Sequence, residues 1–245
     1  MTPLVLVHGF MGGSDQWQLQ SPLGNTRDLI RVDLPGFGKN ADAPPIDTIA
    51  GFADWVLQKL SRLDIHRFDL LGHSMGGMIV QEMMHIDPTR INRLILYGTG
   101  PVGALPGRFE PVETSMQRAR ADGPKATARR IAAKWFRDGD ASAQYPACAR
   151  IAELCGLPAQ LAGLQAMRDW SGRAHLGKIN AETLIVWGDK DRSYPWSQVE
   201  ELWTSISHSH LAIVPNASHA VHLERPALFN MLVEDFLADD GSAKP

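Results

Sequence analysis

The chain has 245 residues, of which 44% are hydrophobic, and its formal net charge is −3. This length and hydrophobic content predict one sizeable domain with a buried core. The near balance of charge, without a basic stripe, argues against a nucleic-acid or anionic-membrane partner. The longest apolar runs have the length of a strand and fall far short of the ~20 residues of a membrane span. The first residues lack the charged region of a signal peptide, so we expect a cytoplasmic protein.

The two cysteines, Cys148 and Cys155, lie in a predicted helix. Their spacing corresponds to about 10 Å of helical rise, which is too long for a disulfide. We therefore expect two buried free thiols, in keeping with a cytoplasmic location. The sequence has no zinc-site spacing and no glycine-rich nucleotide fingerprint, so we expect neither a metal nor a cofactor.

Short β-rich runs alternate with helical patterns along most of the chain. Several runs are apolar throughout, which is typical of parallel strands buried on both faces. The alternation predicts an α/β fold, a mostly parallel sheet with helices on both faces, in which ligands bind beyond the carboxyl ends of the strands. The predicted strands are Leu4–Val7, Asp28–Asp33, Phe68–Leu71, Arg93–Tyr97, Thr183–Trp187 and His210–Val214, and the predicted helices include Ile49–Leu63, Met75–His85, Ser197–Thr204 and Pro226–Leu237.

One stretch, residues 101–178, has helical patterns but no convincing strand. We predict that it is a helical cap inserted after the fourth strand, and that residues 1–100 and 179–245 form the core. A cap over a strand-end cleft presents an apolar face to it, so large apolar residues of the cap are pocket candidates. Any one of them can instead hold the cap on the core. These candidates are Met116, Trp135, Met167 and Trp170.

The pentapeptide Gly72-His73-Ser74-Met75-Gly76 joins a predicted strand to a predicted helix. A serine on such a tight turn exposes its hydroxyl at the edge of the sheet, beside the N-terminus of the helix. Glycines on either side let the strand and the helix approach closely, where a Cβ would clash. The pattern indicates a nucleophile at Ser74, although the pentapeptide alone also fits a glycine-rich turn without a function.

A serine hydroxyl needs a base within hydrogen-bond reach, and the base needs a third group that fixes its tautomer. In this architecture the acid and the histidine follow later strands, in the order Ser, acid, His. Asp189 and Asp191 follow the fifth predicted strand, and His219 and His222 follow the sixth. The spacing alone therefore leaves two candidates for each role.

Four segments together resemble the α/β-hydrolase superfamily, particularly its small bacterial esterase, lactonase and carbon–carbon hydrolase branch. They span residues 4 to 219 and are Leu6-Val7-His8-Gly9-Phe10, Asp33-Leu34-Pro35-Gly36-Phe37-Gly38, the pentapeptide around Ser74, and Gly188-Asp189-Lys190-Asp191 together with His219. The resemblance implies the α/β-hydrolase fold with Ser74 as nucleophile. It also implies Asp191 as the acid and His219 as the base.

The resemblance further implies an oxyanion hole built from two backbone N–H groups. One belongs to Met75, directly after the nucleophile, and the other to Phe10, in the loop after the first strand. We expect His73 to form a wall of the site, because neighbours of a nucleophile on a sharp turn point away from the attacking face. Trp17 either faces the pocket or packs in the core.

These residues predict a serine hydrolase that cleaves small-molecule carboxylic esters or lactones through an acyl-enzyme. One alternative on the same triad is hydrolysis of a carbon–carbon bond in a vinylogous diketone, or a lyase reaction like that of menaquinone biosynthesis. Such chemistry needs a cationic clamp for an acidic substrate. A different alternative is a ligand receptor with slow hydrolysis. The candidates for the clamp are Arg108, Arg129, Arg168 and Arg173.

Overall fold

A parallel β-sheet forms the centre of the molecule in the computed structural model, which describes residues 1–104 and 110–238. Within these residues the sheet has six strands in the order β2-β1-β3-β4-β5-β6, and each neighbouring pair is parallel. The predicted parallel sheet is thus confirmed. The strands are β1 (Leu4–Val7), β2 (Leu29–Val32), β3 (Phe68–His73), β4 (Ile91–Tyr97), β5 (Glu182–Gly188) and β6 (Ser209–Val214).

Both faces of the sheet are buried, as the apolar strands predict. Alternate residues of β1 contact opposite layers, with Val5 and Val7 in one hydrophobic cluster and Leu4 and Leu6 in the other. Such a strand contributes apolar side chains to two cores at once, which explains why its sequence shows no alternation. The core helices are α1 (Ile49–Arg62), α2 (Met75–Ile86), α7 (Trp196–Ser205), α8 (Val221–Glu224) and α9 (Pro226–Ala238).

Among the residues that the structure describes, four α-helices lie between β4 and β5, in the stretch that the sequence assigns to a cap. They are α3 (Val112–Asp122), α4 (Pro124–Lys134), α5 (Tyr145–Ala152) and α6 (Leu157–Arg168). The chain enters and leaves this stretch side by side, because Val102 forms a β-bridge with Ser171 and the Gly172 N–H donates to the Pro101 oxygen at 2.8 Å. We keep residues 101–178 as the proposed cap.

Cys148 and Cys155 are both buried and free, as expected. Burial raises the pKa of each thiol to about 12. Among the described residues, 1–104 and 110–238, no helix combines the length and the apolar character needed to cross a membrane.

Candidate active site

Ser74 lies on a strained turn between β3 and α2. Its φ is 56° and its ψ is −119°, a conformation that costs a non-glycine residue on the order of 1–3 kcal/mol and persists only where its surroundings enforce it. The backbone carbonyl oxygen of Tyr97 accepts the Ser74 N–H at 2.9 Å. The Thr99 hydroxyl donates to the backbone carbonyl oxygen of Ser74 at 2.8 Å. A Cβ on Gly72 would collide with the backbone of Gly76, so close packing of the strand against the helix also enforces the turn.

His219 and Asp191 form a buried pair at the carboxyl ends of β6 and β5. The distance from His219 Nδ1 to Asp191 Oδ2 is 2.9 Å, and both side chains are almost wholly buried. An ionised carboxylate only accepts hydrogen bonds, so His219 donates its Nδ1–H and keeps Nε2 free to accept a proton. The second carboxylate oxygen of Asp191 accepts the N–H groups of Ser193 at 2.6 Å and Tyr194 at 3.2 Å, which fixes the carboxylate in place.

The two competing candidates lie elsewhere. Asp189 is partly exposed, pairs with Lys190 at 3.1 Å and accepts the backbone N–H of Asn216 at 2.6 Å. His222 is buried, with its Nδ1 at 3.0 Å from the Tyr97 hydroxyl. Burial and the nearby His219 lower the pKa of His222 to about 3, so its ring is neutral. Each has a structural role at its own position.

Ser74 and His219 line the same cavity, which has a volume of about 50 Å³. Its floor is the loops that follow β1, β3, β5 and β6, as expected for a ligand site in a parallel sheet. Three further side chains in the lining come from the proposed cap. The complete lining among described residues is Gly9, Phe10, Gln16, His73, Ser74, Gly103, Ile131, Trp135, Met167, Ser193, Tyr194 and His219.

The loop with the predicted oxyanion donor Phe10 packs directly on Ser74, the predicted nucleophile. A Cβ on Gly9 would lie 2.9 Å from Ser74 Cβ, so only glycine fits at this position. The side chain of His8 connects this loop to the segment after β2 by two hydrogen bonds. Its Nε2 accepts the Leu34 N–H at 3.1 Å, so its Nδ1 carries the proton and donates to the Gly9 oxygen at 2.8 Å. Burial lowers the pKa of His8 to about 4, which keeps this ring neutral.

The second predicted donor, Met75, is the first residue of α2 and follows Ser74 directly. A helix N-terminus presents N–H groups without partners inside the helix and favours a negative charge. Met75 thus lies on α2 and Phe10 on the loop after β1, two separate elements that both adjoin Ser74.

Sequence comparison identifies the family of this chain. Residues 4–232 match the alpha/beta hydrolase family.

The chain belongs to the α/β-hydrolase family.

Its relatives carry several different activities. The chain is 29% identical to the dihydrolipoyllysine-residue acetyltransferase component of an acetoin cleaving system from Pseudomonas putida; the match covers 96% of this chain but only 63% of that protein. It is 28% identical to 2-hydroxy-6-oxononadienedioate/2-hydroxy-6-oxononatrienedioate hydrolase 1 from the same species, across 96% of this chain and 87% of the relative. The enol-lactonase structure from Burkholderia xenovorans LB400 superposes with a TM-score of 0.87 at 22% identity, across 97% and 92% of the two chains.

Three of the six predicted pocket residues, His73, Trp135 and Met167, line the cavity of this α/β hydrolase, and three do not. Trp17 is fully buried in the core, with its ring 4.8 Å from that of His222. Trp170 turns towards α2, where its Nε1–H donates to Glu82 at 2.9 Å. Met116 is partly buried and packs against the hydrophobic core. Trp17, Met116 and Trp170 are therefore corrected from pocket residues to packing residues.

The ring of His73 contacts that of His219, the predicted base, with centroids 4.6 Å apart. Burial, together with the neighbouring histidines, holds the pKa of His73 well below the ordinary value. Its Nε2 is 3.1 Å from the backbone oxygen of His219, and the Tyr97 hydroxyl donates to that same oxygen at 2.8 Å. The His73 ring also stacks on Tyr97 with a centroid distance of 4.4 Å. His73 and Tyr97 together hold the backbone oxygen of His219 in place.

Several lining residues are not among those predicted from the sequence. The ring of Tyr194 stacks on that of His219, with centroids 5.7 Å apart and planes 16° apart. Tyr194 follows Asp191 by three residues, so its place in the loop after β5 is the signal that could have predicted it near the cavity. Ile131 follows the apolar pattern of a predicted helix, but that pattern does not say which side faces the cavity. Gln16 has no distinguishing signal, since it is a polar residue in a turn-rich segment.

Proposed function

We propose that this α/β hydrolase is a serine hydrolase that cleaves small, uncharged carboxylic esters or lactones through an acyl-enzyme. One observation carries the proposal. Ser74 and His219 line one cavity, and Asp191 bonds to the nitrogen of His219 that is remote from catalysis. A serine, a histidine and an acid in this order on this fold form a nucleophile, a base and the group that orients the base.

The proposed reaction begins with attack of Ser74 Oγ on the acyl carbon while the hydroxyl proton moves to His219 Nε2. The backbone N–H groups of Phe10 and Met75 stabilise the negative charge on the carbonyl oxygen. Collapse of this intermediate breaks the bond to the alcohol oxygen, which takes the proton from His219. Water then attacks the acyl-enzyme, His219 accepts its proton and returns it to Ser74, and the carboxylic acid leaves.

The charge of the cavity supports an uncharged substrate. Among the described residues its lining contains no Arg or Lys. Three of the arginines considered for an anion clamp form ion pairs instead and lie outside the lining: Arg129 with Glu153, Arg168 with Asp169, and Arg173 with Glu201. Arg108 lies outside the described residues. A carboxylate substrate would therefore lose its hydration without gaining a cationic partner from the described lining.

A second candidate is carbon–carbon bond hydrolysis. It is favoured by the name of one relative, 2-hydroxy-6-oxononadienedioate/2-hydroxy-6-oxononatrienedioate hydrolase 1 from Pseudomonas putida. The substrates of that relative, named as dienedioates and trienedioates, carry acidic groups. Side-by-side kinetics with a neutral p-nitrophenyl ester and a vinylogous diketone dioic acid separate the two activities. We expect turnover of the ester alone, and preferred turnover of the dioic acid would replace the ester proposal with this one.

The test of the nucleophile is Ser74→Ala, with Ser207→Ala at an exposed position as the control. Loss of a triad serine costs roughly 10⁶-fold in kcat in a serine protease, so we expect at least a thousandfold loss on p-nitrophenyl butyrate. A fluorophosphonate probe should label the wild type and Ser207→Ala but not Ser74→Ala. Retention of more than a tenth of the activity in Ser74→Ala would overturn the proposal. Labelling of Ser74 without steady turnover of any ester or lactone would favour a receptor.

A further inference from the structure

The cavity contains one buried amide that the proposed mechanism does not use. Gln16 lies in the 3-10 segment Ser14–Asn25, directly after the loop that carries Phe10. The residue is only 5% exposed, yet it lines the same cavity as Ser74. A buried glutamine in a small cavity beside a nucleophile is costly unless something binds it.

The hydrogen bonds of Gln16 inside the protein are weak. Within the described residues, its side chain makes one hydrogen bond, from Nε2 to Cys148 Sγ at 4.0 Å. A thiol sulfur is a poor acceptor, and the distance is at the outer limit for such a bond. The amide can donate two hydrogen bonds and accept two, so most of this capacity is unused inside the protein.

The packing around Gln16 keeps its side chain in place. A Cβ on Gly12 would lie 2.6 Å from Gln16 Oε1, so the amide oxygen rests over the one residue type that leaves space for it. Cys148 in α5 lies on the other side of the amide. The amide is thus held between the loop after β1 and the proposed cap, and a substrate finds it already positioned.

The other side chains of the lining restrict what the amide recognises. Phe10, Ile131, Trp135 and Met167 offer apolar walls to a bound acyl group. An amide N–H amid such walls suits an uncharged oxygen, because a carboxylate there would lack a cation. The complementary ligand group is an ether, hydroxyl or carbonyl oxygen on an otherwise small apolar chain.

We propose that Gln16 determines substrate specificity, its side-chain N–H binding an uncharged oxygen in the acyl part of the substrate, close to the reacting carbonyl. The preferred substrates are then esters or lactones of alkoxy, hydroxy or oxo acids rather than of plain fatty acids. This inference rests on the proposed ester hydrolysis and adds the class of acyl group to it. A site built to bind such an oxygen discriminates strongly against the analogue that lacks it.

The experiment compares two p-nitrophenyl esters that differ in one atom. Methoxyacetate carries an ether oxygen where butyrate carries a methylene, and the chains are otherwise of equal length. The quantity measured is the ratio of kcat/KM for methoxyacetate to kcat/KM for butyrate. Comparison of this ratio between variants cancels the difference in intrinsic reactivity of the two esters.

Two substitutions remove the donor, Gln16→Met and Gln16→Glu, and Gln18→Met at an exposed position of the same segment is the control. We expect the ratio to fall about tenfold in both Gln16 variants, through a lower kcat/KM on methoxyacetate. Neither a methionine side chain nor a carboxylate has an N–H to donate to the ether oxygen. We expect an unchanged ratio in Gln18→Met. Agreement between the two Gln16 variants separates the loss of a hydrogen bond from the gain of an apolar contact by methionine.

Three results would overturn the inference. In the first, Gln16→Met keeps the wild-type kcat/KM on both esters, and in the second it loses equally on both esters, so that the ratio is unchanged and the role of Gln16 is structural. In the third, wild-type protein cleaves neither ester and the fluorophosphonate probe does not label Ser74, so the proposed function fails as well. In the first two results ester hydrolysis persists, so only the specificity of Gln16 fails.

Discussion

The Glu224 carboxylate accepts the backbone N–H of Ser218 at 2.6 Å, one residue before His219. Its second oxygen accepts the backbone N–H of Arg137 at 2.8 Å. One partly buried carboxylate therefore connects the loop that carries the proposed base to the segment that follows α4 in the proposed cap. A second link is parallel to it, since the Ala220 N–H donates to the Trp135 oxygen at 2.9 Å. The position of His219 depends on both parts of the molecule.

Glu224→Ala should weaken both stability and catalysis. A hydrogen bond to a charged group contributes about 1.5–3 kcal/mol, and we expect a loss of this size in the free energy of unfolding measured with urea. Release of the His219 loop should also lower kcat/KM on p-nitrophenyl butyrate at least tenfold. Glu234→Ala, at an exposed position of α9, should change neither quantity appreciably. Wild-type kinetics in Glu224→Ala would show that the loop holds its position without this carboxylate.

Asp191→Asn tests which aspartate orients the base. An asparagine can donate to His219 Nδ1 and so stabilise the wrong tautomer, a change that costs about 10⁴-fold in kcat in a serine protease. We expect a loss of at least a thousandfold in kcat on p-nitrophenyl butyrate. Asp189→Asn is the matched control two residues away, with an expected change below about threefold because Asp189 bonds to Asn216 and Lys190. The reverse order of the two losses would assign the role to Asp189.

Gly9→Ala tests the predicted oxyanion loop without touching a side chain that reacts. The new Cβ would lie 2.9 Å from Ser74 Cβ and 3.1 Å from the His73 oxygen, so the loop must move away from the nucleophile. Loss of one oxyanion donor costs about 2.7–4 kcal/mol, and we expect a fall in kcat on p-nitrophenyl butyrate of a hundredfold or more.

The control for Gly9→Ala is Gly177→Ala, where a Cβ meets nothing within 4 Å. We expect its kcat to equal that of the wild type. Circular dichroism should show that both variants fold. Full activity in Gly9→Ala would indicate that the Phe10 N–H is not an oxyanion donor.

The sheet could be predicted from the sequence because local rules govern its strands, and the same rules select the three proposed catalytic residues. Ser74 needs flanking glycines on a strand-to-helix turn, and Asp191 and His219 each follow a short apolar strand. The roles of Trp17 and Trp170 were not readable in this way. Both are large aromatic residues in favourable places, and only the packing of distant segments decides that one faces the core and the other Glu82.

Gln16 shows the same limit for polar residues. Its sequence neighbours say nothing about Cys148, which is far away along the chain and contacts it only after the helices between β4 and β5 fold over the core. Local patterns thus select the proposed catalytic groups, which follow the core strands. They predict the cavity lining only in part, because the placement of residues such as Gln16 depends on long-range contacts.

Three buried histidines whose pKa values are lowered by burial, His8, His73 and His222, make the stability of the protein sensitive to acid. The pKa is lowered by burial to about 4 for His8 and to about 3 for His222, against about 6.5 in an unfolded chain. Between pH 6.5 and pH 4 the unfolded state therefore binds more protons than the folded state. Above pH 6.5 these histidines do not lower the free energy of unfolding. The free energy of unfolding decreases as the pH falls through this window.

His222→Phe should flatten this pH dependence. Each proton bound only by the unfolded state contributes a slope of about 1.4 kcal/mol per pH unit, so removal of His222 should lower the slope by nearly that amount between pH 6 and pH 4. Urea denaturation at closely spaced pH values gives the slope directly. The phenylalanine can pack against the surrounding rings of Trp17 and Phe229, so we expect this variant to fold and its unfolding to be measurable. His208→Gln, at an exposed position, should retain the wild-type slope; an unchanged slope in His222→Phe would mean that His222 does not resist protonation in the folded protein.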